Sequence, residues 1–480
     1  MRAPYSIALL FGMLTQAIGV PAHSLSVGES ASNPIGFHDA TPSFSWLLPA
    51  SAKAQSAYHL ETRSGEAHWD SGWVESDQST FVPYEGEALS SRQQVEWRVN
   101  LRDENGCEGG WSSWARFELG LLSNQDWEAR WIRPQQEVDM KREPVATLRH
   151  SFQISKPIEH ARLYATAKGV FELHLNGKRV SVDHFANGFT SYRNRLDTLT
   201  YDVTGHLQPG SNTIVGLLGS GWYAGRLPFE TTKIGPYGTD TGLLLQLEIT
   251  YRDGSSQVVA SGEQWEGTYE GPIVSSSLYD GEVYDARRQL TDWQPVAVEP
   301  DLGNARLTPK PFAPVRATET LSVQSISEPK PGSYVFDLGQ NIVGWARIRV
   351  PVEQGETITI RFAEMLQADG TLYTANYRTA KSTDTYTAAR SGVVDWEPHF
   401  TFHGFRYVKL SGRAATCARV FWARRIFPSR STKRATQLSR RSYCSRRPIP
   451  RGSTPSIKGR PRCGNAGTAT RMKTALVTRR

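Results

Sequence analysis

The dipeptide Asn176-Gly177 constrains this chain more than any other two residues. Both tolerate the positive φ of a type I′ turn, and alternating apolar positions flank them, so the sequence on either side is committed to a β-hairpin. Upstream, Leu163, Ala165 and Ala167 alternate, and a turn is expected at Lys168-Gly169. The run Val170-Phe171-Glu172-Leu173-His174-Leu175 then leads into Asn-Gly. The stretch from Ala161 to Phe229 closes through Leu217-Leu218-Gly219-Ser220-Gly221-Trp222-Tyr223-Ala224-Gly225, rich in glycine and aromatics. Short strands, tight turns and an aromatic rim between glycines describe a β-sandwich of the jelly-roll kind, an architecture that often holds sugars.

The same period of two recurs along the chain. In residues 23–122, Val95, Trp97, Val99 and Leu101 alternate with polar residues and are expected to face a core, while Trp111, Trp114 and Phe117 mark the next strand. Turn spacing there suggests a fibronectin-III-like sandwich, whose tryptophans are expected in the core rather than on a binding platform. A second unit spans 145–300, with another hairpin at Asp253-Gly254. A third spans 314–412, where Thr357-Ile358-Thr359-Ile360-Arg361-Phe362 is the most regular strand of all. The fold class is all-β: three consecutive β-sandwich or jelly-roll domains followed by an unpatterned basic tail.

That tail, 413–480, decides how the charge is read. The 480 residues carry 55 Lys and Arg against 47 Asp and Glu, a formal +8, but nineteen of the basic residues and no acidic one lie after Gly412. The body therefore carries 36 basic against 47 acidic residues, a formal −11, which does not suit nucleic-acid binding. Of four cysteines only Cys107 lies in the body, so no disulfide is expected there, and the three in the tail match no zinc spacing. Arg2, the apolar run Ile7 to Val20 and Val20-Pro21-Ala22 read as a signal peptide over 1–22, implying export to the periplasm or beyond. No other segment is long and apolar enough for a membrane helix. An acid-free, arginine-rich stretch without pattern is expected to be disordered. Out-of-frame translation of GC-rich DNA, or truncation, accounts for it better than a dedicated basic arm.

Together several phrases resemble the N-terminal, non-catalytic half of bacterial α-L-rhamnosidases of glycoside hydrolase family 78. They are Trp69-Asp70-Ser71-Gly72, Leu175-Asn176-Gly177, Tyr201-Asp202-Val203-Thr204, Gly221-Trp222-Tyr223, Gly281-Glu282-Val283-Tyr284-Asp285-Ala286-Arg287, Phe336-Asp337-Leu338-Gly339-Gln340-Asn341, Ala363-Glu364-Met365-Leu366 and His403-Gly404-Phe405-Arg406-Tyr407-Val408. In that family accessory β-domains precede an (α/α)6 barrel that removes terminal α-L-rhamnose with inversion. Inversion needs two carboxyl groups roughly 6.5–9.5 Å apart. The resemblance implies that both come from the barrel, and no acidic residue lies between Gly412 and Arg480 to supply one. The expectation is the N-terminal part of an exported α-L-rhamnosidase, catalytically incomplete as it stands, with no catalytic residue in this chain.

The carboxylates present are expected to be structural. Glu282 and Asp285 fall on opposite faces of a strand, with Arg287 and Arg288 nearby. Glu364 with Asp369, and Asp337 beside Gln340-Asn341, are the other tempting sets; Asp337 is expected to anchor a turn into the Gly339 corner, and no nucleophile elbow is present. A sugar site wants an aromatic ring beside planar polar groups on loops of a rigid scaffold. The candidates are Trp222, Tyr223 and Arg226, with Asn187, Tyr192 and Arg193. No metal ligands are assigned and no cofactor is expected; Asp183 or Asp202 does not complete a calcium motif. Expected partners are rhamnose-containing glycosides or polysaccharides, neither nucleic acid nor membrane. A stand-alone carbohydrate-binding protein and a β-module scaffold or adhesin are the competing readings.

Overall fold

In the computed structural model residues 20–31, 33–227, 234–412 and 420–428 are described, and strands dominate them. The first domain faces a four-stranded sheet with a five-stranded one in the order Ile35–Phe37, Ala115–Leu119, Gln94–Asp103, Gln55–Ser64, Ala67–Glu75. Val95, Trp97, Val99 and Leu101 are buried as their alternation requires, with Phe44 tilted against Trp97 at 4.4 Å between ring centroids. Trp111 and Trp114 depart from expectation. The strand begins only at Ala115, and both rings are half-buried on the outer face, where the guanidinium of Arg98 lies 4.3 and 4.5 Å from them. An indole face covered by guanidinium needs no hydrophobic core.

In the second domain Asn176 (φ 51°) and Gly177 (φ 76°) form the two-residue loop that pairs Leu175 with Lys178. The Asn176 amide also bonds His206 O, Asn212 Oδ1 and Thr213 N, tying the turn to its neighbours. Lys168-Gly169 is not a hairpin turn. Ile158–Lys168 pairs with Gly242–Tyr251, whereas Val170–Leu175 pairs with Gly210–Gly219, so the chain crosses there from one layer to the other. Gly169 (φ 140°) suits that crossing because a Cβ would sit 2.4 Å from Gly219 O. Between the layers lie Ala161, Leu163, Ala165, Leu173, Leu175, Ile214, Leu243, Leu245 and Leu247. The other face of Gly242–Tyr251 is covered as well: Leu244 packs with Leu121, Trp127 and Trp131. Gln246, fully buried there, accepts from Glu128 N (2.7 Å) and donates to Glu248 (2.7 Å). Glu248 in turn binds Arg92 of the first domain.

The sheet of the third domain is built around Ser333–Val352, which pairs with His403–Ser411 on one side. It also pairs with Ser325–Lys330 and Gly392–Trp396, and one further pairing is unforeseen: Val420–Pro428 runs antiparallel to it and to Val315–Ser322. Sequence alternation had ended the patterned chain at Gly412; the structure carries it to Pro428. Val420, Phe421, Trp422 and Ile426 have high strand propensity, and two strands with open edges offer the partners that propensity alone does not reveal. The rest of the basic tail and the expected signal peptide up to residue 19 lie outside the described residues.

Gly281–Asp285, in the sequence of the second domain, joins the third domain's sheet parallel to Thr383–Thr387. Gly281 (φ 105°) allows this, since a Cβ would lie 2.0 Å from Thr383 O. Glu282 is fully buried yet satisfied: Oε2 accepts from Ser276 Oγ (2.9 Å), His399 N (2.9 Å) and Phe400 N (3.2 Å), and Oε1 faces His399 Nδ1 at 2.9 Å. Removing one partner of such a buried set leaves the others uncompensated. Glu282→Ala is expected to destabilise the fold by about 3–5 kcal/mol, and Gly281→Ala to lower the melting temperature too; thermal denaturation followed by circular dichroism measures both.

Candidate functional site

The loop after Asp183–His184 and the one-turn helix Gly221–Ala224 bring most of the sequence-predicted residues to one end of the second domain. Phe189 is the exposed centre, 52% accessible, with Tyr192, Trp222 and Tyr237 around it at ring distances of 5.9, 6.2 and 6.2 Å. Trp222, half-buried, also meets Phe185 and Phe402. Tyr223 packs edge-on to Tyr192 at 5.5 Å. Burial pushes the hydroxyls of Tyr192 and Tyr223 above the usual phenol range, so both remain neutral donors. Phe189 and Tyr237 were missed by the sequence reading although both sit beside glycines, Gly188 and Gly238, a signal that could have found them.

Two of the polar candidates, Asn187 and Arg226, do not join this patch. Tyr192 spends its hydroxyl on Gly188 O (2.8 Å). Asn187 is 1% exposed; its carbonyl accepts from Lys310 Nζ at 2.7 Å, while its amide has no hydrogen-bond partner among the described residues. Arg226 binds Asp280 Oδ1 (2.5 Å) of its own domain and Thr379 of the third. Arg193 is exposed, on the same loop as Asn187. The result is an aromatic surface, with Arg226 engaged elsewhere.

The carboxylates divide as structural groups. Asp285 forms a bidentate pair with Arg287, at 2.9 and 2.8 Å, facing away from Glu282. Asp337 accepts from Gly339 N (2.7 Å) and binds Arg406. Glu364 holds Asn341 and Asn376, whereas Asp369 caps its own turn at Thr371. One constellation looks like a nucleophilic triad. Ser382 Oγ lies 3.2 Å from His403 Nδ1, and His403 Nε2 lies 3.1 Å from Asp384 Oδ1. All three are buried, and Phe362 stacks on the imidazole at 4.2 Å, leaving no space for a substrate. It is a core network that also receives Glu282 N on Asp384 (3.0 Å).

Glu143 lies beneath the Gly221–Ala224 turn, 5% exposed, with Oε2 lacking a hydrogen-bond partner and a Gly225 Cβ position only 2.6 Å away. Burial raises its carboxyl to about 7, opposed by Ser277 and the Arg226 N–H, with Asp280 adding repulsion. The folded state thus holds a proton that the unfolded chain has lost above about 4.5. Stability from this group is full below that pH, falls as pH rises towards 7 and then levels. Relative to Glu143→Gln, which cannot ionise, the native chain is expected to lose up to about 3 kcal/mol between pH 4.5 and 8. Urea denaturation of both proteins across that range checks it; parallel profiles would contradict it.

Three family models match the chain in succession. They are a Rha78A-like N-terminal immunoglobulin domain over residues 22–123, the alpha-L-rhamnosidase N-terminal domain over 156–326, and the bacterial alpha-L-rhamnosidase concanavalin-like domain over 327–427. An alpha-L-rhamnosidase of Formosa agariphila is 41% identical over 424 residues, covering 82% of this chain and 45% of the relative. Another, from Alteromonas sp. strain LOR, is 38% identical over 424 residues, covering 83% and 46%. Among solved structures, the native rhamnosidase of Aspergillus terreus superposes with a TM-score of 0.79 at 31% identity, over 85% of this chain and 49% of that one. The Streptomyces avermitilis enzyme complexed with L-rhamnose gives 0.77 at 28%, over 85% and 57%. The chain spans about half the length of the curated relatives it matches. Three domain models of one family, met in order on one fold, establish that the chain belongs to the bacterial α-L-rhamnosidases of glycoside hydrolase family 78 and carries their N-terminal accessory β-domains.

Proposed function

We propose that this chain supplies the β-domain support of an exported α-L-rhamnosidase, acting on terminal α-L-rhamnose of glycosides or polysaccharides, and that its described residues do not themselves cleave the bond. The observation that carries this is the employment of the carboxylates. Glu282 and Asp384 are buried in hydrogen-bonded networks, while Asp285 and Asp337 are paired with arginines. No pair among these faces a cleft with the spacing an inverting hydrolysis requires. Export is supported by the apolar run Ile7 to Val20 after Arg2, and a frameshifted or truncated origin by the acid-free tail.

A carbohydrate-binding role for the same domains is favoured by the patch around Phe189 and Trp222. Apolar rings at a loop-built surface suit the C–H face and methyl group of a 6-deoxy sugar. Asn187 and Arg226 drop out of that role because both are occupied or enclosed.

Purified chain incubated with a chromogenic α-L-rhamnoside is expected to release no aglycone above the uncatalysed rate; hydrolysis would overturn the support reading. Saturable, rhamnose-dependent change in tryptophan fluorescence, lost in Trp222→Ala, is the result expected if the patch binds sugar. An unchanged spectrum would remove the patch from that role and leave the support role standing.

A further inference from the structure

We propose that the outer face of the first domain's five-stranded sheet is a binding site for a divalent transition-metal ion of the zinc class, held by His59, Glu61 and Asp70. Their ligand atoms all lie within 4.8 Å of one another, and His59 Nε2 is 2.5 Å from Asp70 Oδ1. Zinc takes nitrogen and carboxylate ligands in a tetrahedron whose corners are ~3.3 Å apart, a separation small side-chain rotations reach from here.

Local backbone geometry makes the cluster. Glu61 pairs directly with Asp70, but His59 pairs with Trp73, so a bulge at Ser71-Gly72 inserts one extra residue between the two pairs. Bulges re-aim side chains. Here the Gly72 N–H holds the Asp70 carboxylate at 2.6 Å and keeps it on the outer face. Gly72 (φ 59°) supplies the backbone conformation this needs.

The surroundings fix each ligand as outer groups do in metal sites. The His59 ring lies between Trp111 (4.8 Å) and Trp73 (5.5 Å). Arg98 binds Glu61 through Oε2 alone, at 2.6 and 2.7 Å, which leaves Oε1 for a second partner. Arg98 is itself clamped over Trp111 and Trp114. A cation entering here takes the place of the direct contact between His59 Nε2 and Asp70 Oδ1. One further observation points independently to a ligand. Asn100, directly cross-strand from His59, is 6% exposed, and its Oδ1 has no hydrogen-bond partner among the described residues. A buried amide oxygen without a donor costs free energy that a bound cation, or the water on it, would recover. Imidazole among oxygen donors favours zinc-class ions over magnesium or calcium.

The test uses the full 480-residue chain with its four cysteines alkylated and metal removed by chelation. Titration with ZnCl2 by calorimetry is expected to show one saturable site per chain, undiminished by excess Mg2+. CoCl2 is expected to quench tryptophan fluorescence saturably, because Trp73 and Trp111 flank the ligand histidine. His59→Gln and Asp70→Asn should each weaken binding at least tenfold, and Asn100→Ala by roughly 10-fold or more. Absence of saturable Zn2+ binding, binding unchanged in both ligand variants, or displacement by Mg2+ would overturn the proposal. If a variant fails to fold, Co2+ quenching in the unsubstituted chain decides, and its absence is contradictory.

Discussion

The burial of the Glu282 carboxylate is the interaction on which the larger part of this molecule depends. A charged group without solvent survives only where hydrogen bonds replace its water. Glu282 finds a serine hydroxyl, two backbone N–H groups and a histidine, three of the four from the segment His399-Phe400 of the third domain. Its own N–H goes to Asp384, another fully buried acid. The second and third domains therefore share a sheet, and the carboxylates that look catalytic in sequence are the fasteners of that seam. His399 responds: burial alone would lower it, but the charge of Glu282 wins and holds it above the usual imidazole range. Its contribution to stability is full below the unfolded value of about 6.5 and is lost as pH rises through the folded one.

Polar seams of this kind recur between the first and second domains. Gln246 and Glu248 use the outer side of a strand whose inner face is apolar, and Arg92 and Arg162 reach across to Glu248 and Glu118. Arg162 and Glu118 are 12% and 7% exposed, so this pair escapes most of the screening that makes surface ion pairs weak. The chain is thus organised as sandwiches joined by directional contacts, with the aromatic surface around Phe189 at one end and the tryptophan–arginine face of the first domain at another.

Much of this was legible in local sequence. Asn176-Gly177 specified its hairpin because turn geometry is set by two residues, and the alternation through Val95 to Leu101 named its buried face because pleating has a period of two. What escaped was non-local. Lys168-Gly169 resembles a turn, yet the choice between a hairpin and a layer crossing is made by Gly219 and by strands fifty and seventy residues away (roughly). Trp111 and Trp114 were expected inside because indole is apolar; the arginines that stack on them, Arg63 and Arg98, come from two other strands. Val420–Pro428 has strand propensity but no alternation to place it, and it forms a strand because partners await it. In the aromatic patch, Trp222 and Tyr223 were marked by flanking glycines, whereas the engagement of Arg226 with Asp280 and the burial of Asn187 were not legible, because sequence does not say which polar group is already engaged.

Native-state hydrogen exchange across Gly281–Asp285 and Thr383–Thr387 tests the central claim most directly, namely that the second and third domains are one cooperative unit fastened at Glu282. The account predicts that these amides exchange with a common opening free energy, equal to that of the second domain's inner strands, and that Glu282→Gln lowers all of them together. Protection that differs between the two strands, or a loss confined to one domain in the variant, would contradict it.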